Sequence, residues 1–143
     1  MKHLLLLVSI CCSTLLVAQK VQNASRITIG SIKSDGTIRS SSNWSVGFIK
    51  EDGRIQDGSY VTIGYVKEDG RIQNASHATI GYLKEDGRVQ NASYVTIGYI
   101  KEDGRVQNAS HWTIAYAKGI PKVWAAAVFF FFKFYEEEKI EEK

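Results

Sequence analysis

One segment of 17 residues recurs in this chain without a gap, and no other feature constrains the fold so strongly. Tyr60–Ser76 reads YVTIGYVKEDGRIQNAS. His77–Ser93 and Tyr94–Ser110 repeat it almost residue for residue. Asn43–Ser59 and Arg26–Ser42 follow the same register more loosely. His111–Lys118 is the first half of a further unit, and Lys20–Ser25 (KVQNAS) is the second half of one, matching Arg105–Ser110. Five full units are thus flanked by two complementary halves, six units in all. A unit this short cannot bury its own apolar face, so neighbouring units must cover one another.

Each unit reads as a β-hairpin. Thr62-Ile63-Gly64-Tyr65-Val66-Lys67 is β-branched and aromatic, the composition of a strand. Glu68-Asp69-Gly70 is a turn in which the glycine supplies a positive φ at low cost. Gly36, Gly53, Gly87 and Gly104 hold the same place in their own units. Arg71-Ile72-Gln73 begins the return strand. Asn74-Ala75-Ser76 turns again, with Asn suited to the left-handed region and Ser to local hydrogen bonding. A turn signal every eight or nine residues excludes helix here.

Ten strands from the full units and one from each half make twelve. Strands joined by tight turns pair with their neighbours. An open sheet of this kind would leave two bare edges. The first strand (Lys20–Ala24) is the missing mate of the last (Trp112–Lys118), so pairing them closes the sheet. The expected fold is mainly β: a closed, shallow, 12-stranded antiparallel up-and-down barrel.

Gly119-Ile120-Pro121 ends the repeat. Pro121 suits the first turn of a helix, and Ala125–Ala127 and the Glu/Lys-rich tail favour one. Val123–Phe132 is apolar on every side and needs an apolar environment all round. Such a helix is about 15 Å long, half of the ~30 Å of a bilayer core. It matches the height of a barrel of short tilted strands, roughly 15–20 Å. Val123, Trp124, Val128, Phe129, Phe130, Phe131 and Phe132 are therefore expected on a structural helix through the lumen. Val61, Ile63 and Tyr65 alternate with Thr62, Gly64 and Val66. The first set carries more apolar area and is expected inside. Against this, Gly30, Gly47, Gly64, Gly81 and Gly98 could mark close approach of strands to the helix.

Met1-Lys2-His3, the apolar run Leu4–Val17 and Ala18 form the basic, hydrophobic and small-residue regions of a secretory signal. The expected organisation is a signal peptide at 1–18, the repeat barrel at 19–118, and the hydrophobic helix with an acidic tail at 119–143. Export, to a secreted or periplasmic location, follows. The rival is a lipoprotein signal at Val8-Ser9-Ile10-Cys11, in which Ile10 stands where a small residue is wanted. Cys11 and Cys12 are the chain's two cysteines and are adjacent, a spacing that rarely bridges.

The repeat GYxKEDGRxQNAS, followed by PKVWAAAVFFFF, resembles the β-flower family of bacterial short-repeat barrels. The resemblance covers Lys20 to about Phe132. It implies a shallow symmetric barrel of five or six petals, similar in shape to the Tubby C-terminal domain with its central helix. It implies no activity to carry over to particular residues. By analogy with Tubby-like domains it suggests lipid contact at a membrane surface.

Functional signals are sparse. Lys+Arg number 18 against 15 Asp+Glu, too balanced for a basic nucleic-acid stripe. The Lys67-Glu68-Asp69-Arg71 tips read as turn chemistry with charge pairs rather than a metal or anion ring. Asn23, Asn43, Asn74, Asn91 and Asn108 form sequons at the second turn, where turn chemistry accounts for them. His77 and His111 stand where other units have Tyr60 and Tyr94. No metal-ligand spacing, cofactor motif or nucleophile–base pair stands out. The expectation is a monomeric, non-enzymatic exported module without cofactor, binding a partner or an envelope surface. The alternative is a lipid- or small-ligand-binding barrel with the Phe-rich helix as a plug. Mass spectrometry of the exported protein should find a chain beginning near Gln19. An intact Met1 would overturn the signal reading, and a diacylglyceryl group on Cys11 would replace it with the lipoprotein one.

Overall fold

The computed structural model describes residues 18–135. The signal segment with Cys11 and Cys12, and the acidic tail from Glu136, lie outside the described residues. Twelve strands run in chain order: β1 (Gln19–Asn23), β2 (Thr28–Ile32), β3 (Thr37–Ser40), β4 (Ser45–Ile49), β5 (Arg54–Asp57), β6 (Thr62–Val66), β7 (Arg71–Asn74), β8 (Thr79–Leu83), β9 (Arg88–Asn91), β10 (Thr96–Ile100), β11 (Arg105–Asn108) and β12 (Thr113–Tyr116). Each pairs antiparallel with its neighbours, and β1 pairs with β12 through Gln22–Tyr116 and Asn23–Ala115, so the barrel is closed.

The two kinds of turn mark the two ends of the barrel. At one end, Gly36, Gly53, Gly70, Gly87 and Gly104 take φ near +90°, as the turn chemistry requires. At the other, the left-handed residue is not the Asn of the NAS triplet. It is the residue after the Ser: Arg26, Asn43, Tyr60, His77, Tyr94 and His111, with φ between 64° and 67°. Asn74 instead ends its strand, and its Oδ1 accepts the backbone N–H groups of Ser76 and Ala78 at 2.9 and 3.0 Å. The same pair of bonds recurs at Asn23, Asp57, Asn91 and Asn108.

A β-bulge recurs in every unit. Gln56 faces Thr62 and Ile55 faces Gly64, which leaves Ile63 as the extra residue; Ile80 is extra in the same way between Gln73 and Ile72. The bulge breaks the strict alternation counted from Val61. The expectation that Val61, Ile63 and Tyr65 share the inward face is therefore corrected for Val61 and Tyr65, while Ile63, the bulge residue, is half-buried against the core. Val61 is exposed, and Tyr65 lies on an outer face with Gln73, its cross-strand partner. The inward set is Gly64, Val66 and Ile72 with their equivalents.

The chain enters the lumen from the Glu-Asp-Gly end. Pro121 lies just before α1 (Lys122–Ala126), which passes into a π-helical turn over Ala127–Phe131. The expected lumen helix is thus present, though its second half is wider than an α-helix. Ala125–Val128 are fully buried at the level of Val66 and Ile72, whereas Val123 and Trp124 are half-buried near the entrance. Beyond them the side chains fan outward. A Cβ placed on Gly98 would strike the ring of Phe130, on Gly81 that of Phe131, and on Gly64 that of Phe132. Phe134 stands in the same relation to Gly47, and Tyr135 to Gly30. Phe129 and Tyr135, the first and last of the fan, are neighbours with centroids 6.0 Å apart. Six aromatics thus close a ring inside the ring of six units.

Gly81→Val should destabilise the barrel by ~3 kcal/mol through overpacking, and Phe131→Ala by about 3 kcal/mol through an unfilled space. Combined, the two should cost about 1 kcal/mol less than their sum, because removing the ring relieves its clash with the valine while the clash with the Gln90 carbonyl oxygen, 2.7 Å from that Cβ, remains. Urea unfolding of the four proteins measures this. Strict additivity would show that the ring does not seat on the glycine.

Candidate functional site: the apolar end of the barrel

The two ends of the barrel differ in chemistry. At the end where the chain enters the lumen, each tip is an ionic turn. Asp69 Oδ1 accepts the backbone N–H of Arg71 at 3.1 Å, and its Oδ2 meets Arg71 Nε at 2.8 Å. Asp52, Asp86 and Asp103 repeat this geometry with Arg54, Arg88 and Arg105. The charge pairs lie within a tip rather than across strands. Glu102 also pairs with Lys122 at the helix entrance. Of the carboxylates among the described residues, only Asp57 lies at the other end.

That other end is apolar. In each unit the residue after the left-handed position is hydrophobic and exposed: Ile27, Trp44, Val61, Ala78, Val95 and Trp112. Trp44 and Trp112 are 75% and 72% exposed. These residues form a ring around the mouth through which the aromatic fan leaves. Phe129–Phe132, Phe134 and Tyr135 are each half-buried in the centre. The Tyr135 hydroxyl donates to the carbonyls of Arg39 (2.6 Å) and Ser31 (3.2 Å), and burial raises its pKa well above the ordinary tyrosine value. The result is an apolar disc with an apolar rim.

Outside the rim, five of the six left-handed residues, all but Asn43, lie against the barrel wall. Tyr60 stacks on Phe48, His77 on Tyr65, Tyr94 on Tyr82 and His111 on Tyr99, with centroids 4.2–4.8 Å apart. Arg26 covers Tyr116 at 4.3 Å. The hydrogen bond to Tyr94 raises the pKa of Tyr82. Beneath these stacks Gln56, Gln73, Gln90 and Gln107 are buried. His77 and His111 are stacking residues here. Among the described residues no group of three metal-ligating side chains assembles.

The profile of a family described as 5-fold beta-flower protein matches residues 18–133. The chain belongs to this family. Its five Glu/Ser-Asp-Gly tips match the five-fold description, and the barrel has a sixth position at which the chain opens and the helix enters. No curated protein and no solved structure matches the chain.

The structure adds Phe134 and Tyr135 to the lumen segment Val123–Phe132 expected from the sequence. A count of six plug aromatics against six units would have found both. The six rim residues were missed because the left-handed position was assigned to Asn74 and its equivalents rather than to the residue after Ser.

The tip carboxyls of Asp35, Asp52, Asp69, Asp86 and Asp103 are held below the usual aspartate pKa, first by the backbone N–H two residues on. A lowered folded-state pKa gives stability that is present above the unfolded value, about 3.9, and lost as pH falls through the folded value. The urea midpoint should therefore fall on acidification below about pH 4. Asp→Asn at all five tips should flatten that fall. An unchanged acid slope in the five-fold variant would assign it to other groups.

Proposed function

We propose that this β-flower is a non-enzymatic, exported, monomeric module that docks end-on against a surface of the cell envelope through its apolar rim. The observation that carries the reading is the separation of chemistry between the two ends: ionic tips at one, exposed hydrophobics around an aromatic disc at the other. Monomeric proteins rarely keep large contiguous apolar patches without a use for them. Export rests on the signal-like sequence of residues 1–18. The absence of catalysis rests on repetition. Near-identical units supply the same side chains to every position around the ring, whereas a catalytic centre needs different groups converging on one point. A closed sheet has no strand edge to offer a second chain, which supports the monomer.

The alternative, a barrel that carries lipid in its lumen, is less well supported. Ala125–Val128 are fully buried and the aromatic fan fills the level above them, so the plug would have to leave before a ligand could enter.

The test uses isolated envelopes and the protein recovered from the exported fraction. The wild type and a variant with its tip residues Glu68 and Glu85 changed to Gln should co-sediment with the envelopes. The triple variant Ile27→Ser, Val61→Ser, Val95→Ser should bind about tenfold more weakly or worse, given the apolar area removed. Equal binding by the triple variant would place the contact elsewhere.

A further inference from the structure

We infer that the occupant of the apolar end is a zwitterionic lipid–water interface, into which Trp44, Trp112 and their apolar neighbours insert. The inference rests on the end-on docking just proposed and names its partner.

Three features select lipid. First, the tips at this end pair most of their own backbone N–H groups. In the unit of Asn74, Oδ1 takes the N–H groups of Ser76 and Ala78, while His77 N–H donates to the carbonyl of Asn74 at 3.0 Å and Asn74 N–H to that of Ala78 at 2.9 Å. Asn23, Asp57, Asn91 and Asn108 make the same closed set. Unpaired backbone groups are what bars most turns from a low-polarity medium; here four of the five N–H groups from Asn74 to Ala78 are paired within the turn, and the carbonyls of Ala75, Ser76 and His77 are left to the water of the headgroup level. Second, the rim offers tryptophan beside branched aliphatics, with tyrosine on the wall behind. Trp and Tyr with this mixed character settle at the headgroup level of membranes. Third, the rim is uneven: Trp44 and Trp112 project while Ala78 leaves a notch. A fluid interface accommodates that outline, whereas a rigid partner must match it.

Charge decides against one other occupant. Among the described residues the cations toward this end are few: Arg26, engaged with Tyr116, Lys133, and Arg39 on the wall at the position Gln73 holds in its own unit, with its Nε buried. No basic patch is present among the described residues of this end to recruit anionic lipid.

The experiment uses the protein recovered from the exported fraction and phosphatidylcholine vesicles carrying bromine on the acyl chains. Trp44 and Trp112 should be quenched on binding. Trp44→Ser with Trp112→Ser should lose that quenching and partition about tenfold more weakly or worse, with an unchanged melting temperature because both side chains are exposed. Binding should persist at about 0.5 M salt, where surface charges are screened, and should not rise with added phosphatidylglycerol. Unquenched wild-type protein, or quenching that survives in the double variant, overturns the lipid assignment. So does a dimer in sedimentation velocity that the double variant abolishes, which assigns the face to a second copy. Envelope binding without vesicle binding sinks this inference alone and points to an envelope protein. Failure of both sinks the docking reading as well.

Discussion

The architecture depends on one contact, made between aromatic rings and strand positions that have no Cβ. Twelve strands enclose more space than an α-helix with small side chains can fill, and less than a helix with large ones needs at every level. The chain resolves this by pairing sizes. Where the strands carry Val66, Ile72 and their equivalents, the plug carries Ala125–Ala127. Where the strands carry glycine, the plug carries phenylalanine. Interiors pack at near-crystalline density, and large-against-small alternation is how that density is reached. Glycine in a strand costs stability by itself; here each one makes the room in which a ring is buried.

The π-helical turn follows from the same contact. Six units share the circle, so each occupies about 60°, while successive α-helical residues turn about 100°. A wider helix turns less per residue. Phe130, Phe131 and Phe132 thereby step from one unit to the next in reverse chain order. Lys133, with φ of 46°, interrupts the helix so that Phe134 and Tyr135 can reach the last two glycines. The hydrogen bond from Phe132 N–H to the carbonyl of Ala127 fixes the wider turn.

Closure, strand number and the lumen helix were legible in the sequence because they follow from the repeat and its two complementary halves. The inward face was not. Apolar area favours Val61, Ile63 and Tyr65 inside, but area is a guide only when the lumen is filled by the strands themselves. A bulky plug reverses the preference, and the bulge at Ile63 hides the phase. The candidate site was less legible still. Tyr60, His77, Tyr94 and His111 adopt a backbone conformation that L side chains seldom take, at a cost of order 1 kcal/mol or more each. Nothing local in the sequence announces it. The cost is offset outside the unit, by rings stacked on Phe48, Tyr65, Tyr82 and Tyr99 of preceding strands. The left-handed residue bends the chain so that the following one projects, and this is how Trp112 after His111, and Trp44 after Asn43, reach solvent.

Near-symmetry raises a problem of its own: the plug must choose one of six similar settings. Two features break the tie. In the sixth unit Ala115 replaces the glycine, so the order of the fan assigns that tighter position to Phe129. Lys122 pairs with Glu102 at the entrance, which holds the start of α1 beside one tip. The Tyr135 hydroxyl, bonded to the carbonyls of Ser31 and Arg39, does not choose among settings, because Gln56, Gln73, Gln90 and Gln107 present a backbone carbonyl at the equivalent place. It secures the end of the fan, where a buried hydroxyl left unpaired would cost about 1–3 kcal/mol. The repeats set the barrel's shape; the residues that depart from the repeat set the orientation of what fills it.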